Sequence, residues 1–100
     1  MGERINIDVG GLIYSSTIGT LNKSPTLKKL IDSHKESEDD SMPFIDRDGF
    51  AFMFILNFMR VGEIFQTIQD PLYVQFLVHE ASFYGMCDMV NALRNIYYEE

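Results

Sequence analysis

One hundred residues, 46% of them apolar and 13% aromatic, suffice for one domain with its own core. A formal net charge of −7 argues against a nucleic-acid binder, which needs clustered Lys and Arg; it suits a basic protein partner or simply keeps the chain soluble. No run of about 18 apolar residues exists to span a membrane, no apolar leader follows Met1, and Cys87 has no second cysteine to bond, so a reducing, cytoplasmic setting is expected.

The chain opens with Arg4 to Val9, which alternates polar and apolar so that Ile5, Ile7 and Val9 share one face of a strand. Gly10-Gly11 is a two-residue hairpin signal, and Leu12 to Thr17 reads as the returning strand. A short helical turn is expected over Thr17 to Leu21. Ser24-Pro25 is an N-cap followed by proline at the first helical position; the helix it starts turns Leu27, Leu30 and Ile31 inward and Lys28, Lys29 and Lys35 outward. His34 to Ser41 is polar, and the acids Glu36, Glu38, Asp39 and Asp40 repel one another, so a solvated loop is expected.

Pro43 to Ile45 then reads as a short strand, Asp46 to Gly49 as a charged turn, and Phe50 to Met59 as a helix in which only Asn57 is not apolar. Gly62 stops that helix, and Glu63 to Gln69 is irregular. Asp70-Pro71 caps a fourth helix through Leu72, Phe76, Leu77, Ala81 and Tyr84, ending at Gly85. Asp88 is expected to cap a last helix carrying Val90, Leu93, Ile96 and Tyr97. The whole is read as a single domain, residues 1–100, cut from a longer protein. Gly2 does not mark a myristoylation site, because that motif wants Ser or Thr where Asn6 stands.

Several residues invite a chemical reading. Val9-Gly10-Gly11 lacks the third glycine of a dinucleotide loop and the lysine of a P-loop, so a tight turn is the better account. Asp46 and Asp48 could pair on a cation, but Arg47 between them opposes one; acids at the positive end of a helix are ordinary caps. His34, His79 and Cys87 are too few for a zinc site. A Cys87–His79 nucleophilic pair has no orienting group in view, and the usual fate of a lone cysteine is a small buried thiol.

The helix from Phe50 is more informative. At about 100° per residue, Phe52, Ile55, Leu56 and Met59 cluster on one side. Phe50, Met53, Phe54 and Val61 cluster opposite, with Asn57 among them. One stripe can meet the hairpin. The other is covered either by the remaining helices or by another chain, where Phe and Met are favoured anchors.

Five segments carry a resemblance: Asp8-Val9-Gly10-Gly11; Thr20-Leu21; Phe44-Ile45-Asp46-Arg47-Asp48; Ile55-Leu56-Asn57-Phe58-Met59-Arg60; and Glu80-Ala81 with Phe83-Tyr84-Gly85. In this order and spacing they resemble the BTB/POZ fold of the potassium-channel tetramerisation type, which includes the T1 domains of voltage-gated potassium channels and the KCTD proteins. The resemblance covers nearly the whole chain. It implies an α/β domain, with a small three-stranded sheet (the N-terminal hairpin plus one inserted strand) and about five helices around it.

It further implies self-assembly into a ring, tetrameric in channel T1 domains and often pentameric in KCTD proteins, with Asp8, Asp46, Arg47, Asp48 and Arg60 at the subunit interface. No enzyme activity and no cofactor are implied. Many KCTD proteins act as adaptors that bring cullin-3 ubiquitin ligases to their targets, so cullin-3 is the implied partner and a channel assembly domain the alternative. Asp8 stands where the family usually has Asn. The cysteine pair of zinc-bridged T1 domains is missing. Asp48-Gly49 resembles KCTD usage, where channels more often have Asp-Pro. Phe50, Met53 and Phe54, often polar or Pro in relatives, are a feature of this chain and its candidate partner-binding residues.

Overall fold

A computed structural model of the chain describes residues 3–38, 40–64 and 68–97. Strands β1 (Arg4–Val9) and β2 (Leu12–Thr17) form an antiparallel hairpin with Ile7 opposite Tyr14 and Val9 opposite Leu12. Gly10 and Gly11 take φ of 59° and 101°, a region that only glycine enters at no steric cost, and the Asp8 carboxylate accepts a bond from Gly11 N at 2.8 Å. The alternation puts Ile7 and Val9 fully inside and leaves Arg4 and Asn6 facing water. Strand β3 (Phe44–Ile45) adds to the other side of β1 in parallel, giving the order β2-β1-β3. Asp8 N and Gly10 N donate to the carbonyls of Pro43 and Ile45, each at 2.9 Å.

Among the described residues, five helices complete this mixed-sheet α/β domain: α1 (Ile18–Leu21), α2 (Pro25–Glu36), α3 (Gly49–Val61), α4 (Pro71–Phe83) and α5 (Cys87–Tyr97). The first four start on side-chain caps, from Thr17, Ser24, Asp48 and Asp70, each accepting from an amide of the first turn. Helix α3 is the central element. Its Phe52, Ile55, Leu56 and Met59 are buried, with Phe52 edge-on to Tyr14 of the hairpin at 5.2 Å and against Tyr84 at 5.3 Å. Leu27 and Ile31 of α2, Val74 and Leu77 of α4, and Met89 and Leu93 of α5 close the core around it.

The start of α2 is tied to the end of α4. Buried Ser24 accepts from Leu27 N and donates to Tyr84 O at 2.6 Å, while Thr26 donates to Phe83 O at 2.7 Å. Gly85, at φ 72°, lies against Pro25, where a Cβ would come within 3.1 Å of the ring.

Four local expectations need correction. Helix α2 runs to Glu36, so His34 and Glu36 belong to its last turn and not to the following loop, beside Lys35, whose cation favours the negative helix end. Asp88 does not cap α5. Met86 N closes on Ala81 O and Met86 O already accepts from Val90 N, so the helix begins at Cys87 with Asp88 inside its first turn. Cys87 is exposed and not buried, because Met86 and Met89 take the inward positions on either side of it. The apolar line of α4 is divided: Leu77 and Ala81 are buried, but Leu72 and Phe76 face outward. Asp39, Phe65 to Thr67 and the side chain of Tyr97 lie outside the described residues.

Candidate interaction surfaces

The charged turn before α3 is packed tightly against the hairpin. A Cβ on Gly10 would lie 2.2 Å from the Arg47 carbonyl oxygen, and one on Gly49 would lie 2.5 Å from the Val9 oxygen. Only glycine allows backbone to meet backbone so closely. The Tyr14 hydroxyl donates to Gly49 O at 2.6 Å, and Asp48 caps α3 by accepting from Ala51 N at 2.8 Å.

Arg47 leaves this turn towards α4. Its Nη2 and Nε meet the two carboxylate oxygens of Glu80 at 2.6 and 3.3 Å, and its guanidinium lies 4.1 Å from the centre of the Phe83 ring. Glu80 is only 3% exposed. Arg47 is therefore the counter-charge of a buried acid, in a fork geometry that lysine could not reproduce. Sequence reasoning did not find this pair. Its one signal is an acid on the stripe Leu77, Ala81, Tyr84 that the helix buries.

The same neighbourhood makes three tyrosines harder to ionise. Burial raises the Tyr84 hydroxyl well above its usual range; the Glu80 carboxylate adds to this, Arg47 opposes it and Asp48 adds a little. Burial and then Asp48 raise Tyr14; burial, Asp48, Glu80 and Tyr14, in that order, raise Tyr73. Among the described residues the Tyr84 hydroxyl meets no hydrogen-bond partner.

Of the residues named for the subunit interface, Asp8 and the Asp46–Asp48 turn lie on adjoining segments, β1 and the turn after β3, and Arg60 lies apart. Asp46 is exposed at the turn. Asp8 lies half-buried on the outer face of the sheet, in register between Ile13 and Phe44, which are 62% and 54% exposed. Arg47 and Asp48 have the intrachain partners just given. Arg60 sits at the far end of α3, about 18 Å from Asp48 at 1.5 Å per residue, and donates to Ser15 O of β2 at 3.0 Å. Of the partner-binding candidates, Phe50 is 71% exposed and Met53 is also open, whereas Phe54 is half-buried against Tyr73 at 5.9 Å. His34 bonds the Ser41 carbonyl, and His79 is exposed on α4.

Ile13 and Phe44 on the sheet and Phe50 and Met53 on α3 stand open to water, the mark of a protein-interaction module. The chain belongs to the BTB/POZ family: the family model described as BTB/POZ domain matches residues 5–93. It is 33% identical over 98 residues to the mouse and human BTB/POZ domain-containing protein KCTD21, covering 94% of this chain in each case. The chain spans 37% of the length of these relatives.

Proposed function

We propose that the domain assembles with copies of itself into a ring and serves as a KCTD-like adaptor for a cullin-3 ubiquitin ligase in the cytoplasm. The observation that carries this is the match to KCTD21 along nearly the whole chain. Two features support it. The outer face of the sheet leaves Ile13 and Phe44 open beside Asp8, a mixture of apolar and charged groups suited to fixing the register between subunits. The exposed, undisulfided Cys87 suits a reducing compartment. Asp8, Asp46, Arg47, Asp48 and Arg60 are proposed to lie at or near the ring interface, and Phe50, Met53 and Phe54 at the cullin contact.

Light scattering on the purified domain tests the ring, with a mass four or five times 11.5 kDa expected. Asp46→Lys is the cleaner interface variant, since Arg47→Glu would also face Glu80. It should shift the particle towards monomer with the fold intact, and an unchanged mass rejects the role given to Asp46. Calorimetric titration with a cullin-3 N-terminal fragment should show binding that Phe50→Asp abolishes; no heat with the unmodified domain rejects the adaptor reading. A clean tetramer that ignores cullin-3 would favour the channel assembly alternative.

A further inference from the structure

Helices α3 and α4 share a contiguous open apolar area. Phe50 and Met53 stand one turn apart on α3, and Leu72 and Phe76 one turn apart on α4; Phe50 and Leu72 are each more than 70% exposed. Phe54 and Tyr73 bridge the two pairs, with Tyr73 passing to Phe76 at 5.8 Å between ring centres. A depression of about 620 Å³ runs from Phe50 and Met53 to Gln69, Asp70 and Tyr73. Asp48 caps α3 two residues before Phe50, and Asp70 caps α4 two residues before Leu72. Among the described residues no Lys or Arg lines the depression: Arg47 is committed to Glu80 and Phe83, and Arg60 lies at the opposite end of α3.

We propose that this face receives an amphipathic helix of another protein, one that presses apolar side chains onto Phe50, Met53, Leu72 and Phe76 and carries Lys or Arg on its flanks. The inference rests on the reading of Phe50, Met53 and Phe54 as partner-facing and names the chemistry of the partner. The occupant is helical because a face built from two helices offers no free strand edge to pair with an extended peptide, whereas a helix brings its backbone already satisfied. It is basic because Asp70 lines the depression and Asp48 caps α3 beside Phe50, with no Lys or Arg among the described lining residues to compensate them.

It is not a second copy paired through this same face. Two copies packed here about a two-fold axis would set those acids against their own equivalents. The chain's own lysine-rich helix, α2, turns Leu27 and Ile31 into the core and has no comparable apolar face to offer.

The test uses two synthetic 18-residue helical probes, one of Leu and Lys in amphipathic order and one with Glu replacing Lys, followed by fluorescence anisotropy on the domain. The Lys probe should bind and the Glu probe should not. Phe50→Asn and Leu72→Asn should each weaken the Lys probe about tenfold. Asp48→Asn with Asp70→Asn, which keeps both caps, should weaken it several-fold and flatten its salt dependence. Glu36→Gln with Glu38→Gln, remote from the face, should change little.

Binding that ignores Phe50 and Leu72, or that follows net charge wherever it is removed, overturns the proposal. So does a fall in oligomer mass for Phe50→Asn or Leu72→Asn, which would make the face a subunit contact and leave self-assembly standing. If these variants lose the probe but still bind the cullin-3 fragment, the cullin assignment of Phe50 fails and the helix site stands.

Discussion

The two faces of α3 are built from the same residue types and meet opposite fates. Phe52, Ile55, Leu56 and Met59 are buried to within a few percent, while Phe50, Met53 and Val61 stand open. Hydrophobicity does not separate them. The hairpin reaches the first face through Tyr14, and Tyr84 packs on it as well; α4 reaches the second at Phe54, through Tyr73. A domain of this size can cover one face of its central helix well and the other only in part. The uncovered part is the face proposed above for a partner helix.

The largest expected effect lies on the closed face. Phe52→Ala should cost about 4 kcal/mol, most of what holds a domain this small, read as the shift in the urea midpoint. Next is the junction joining α3's turn to α4. Arg47→Ala leaves Glu80 buried without its partner and should cost about 3 kcal/mol; adding Glu80→Gln should restore part of the loss. If the double variant is no better than the single, the pair is not what holds the turn.

Tyr84→Phe works in the opposite direction. It removes a buried hydroxyl without a partner and should stabilise the domain by up to about 1 kcal/mol at neutral pH. Because the folded state holds the Tyr84 proton more tightly than the unfolded chain, its contribution is complete below the unfolded value near pH 10 and is lost as pH rises above it. Stability above pH about 10 should therefore fall less steeply in Tyr84→Phe than in the parent, with Tyr14 and Tyr73 keeping a residual slope. Smallest is Phe50→Asn, which should stay within about 0.5 kcal/mol of the parent in urea. A loss near that of Phe52→Ala would mean that the open face is structural, and the contrast between the faces would collapse.

Much of the fold was legible because its signals are local. Gly10-Gly11 marked the hairpin, Ser24-Pro25 and Asp70-Pro71 two helix starts, Gly62 a helix end, and the period of 3.6 separated the faces of α3 before any neighbour was known. The candidate surfaces were legible only in part. Phe50 and Met53 could be picked out as a second stripe. Leu72 and Phe76 could not be told from Leu77 and Ala81 by residue type, because which side of α4 is covered depends on where α3 and α5 lie.

The sequence by itself determined the elements, their order and the family to which they belong, since caps, glycine turns and periodicity act within a few residues. Only the tertiary structure decided that Arg47 answers Glu80 across 33 residues, that Ser24 ties α2 to Tyr84 across 60, and that one face of α3 stays open. The physical reason is the same in each case. Burial, and the counter-charge or hydrogen bond that burial demands, depend on which distant surfaces the packed elements bring together.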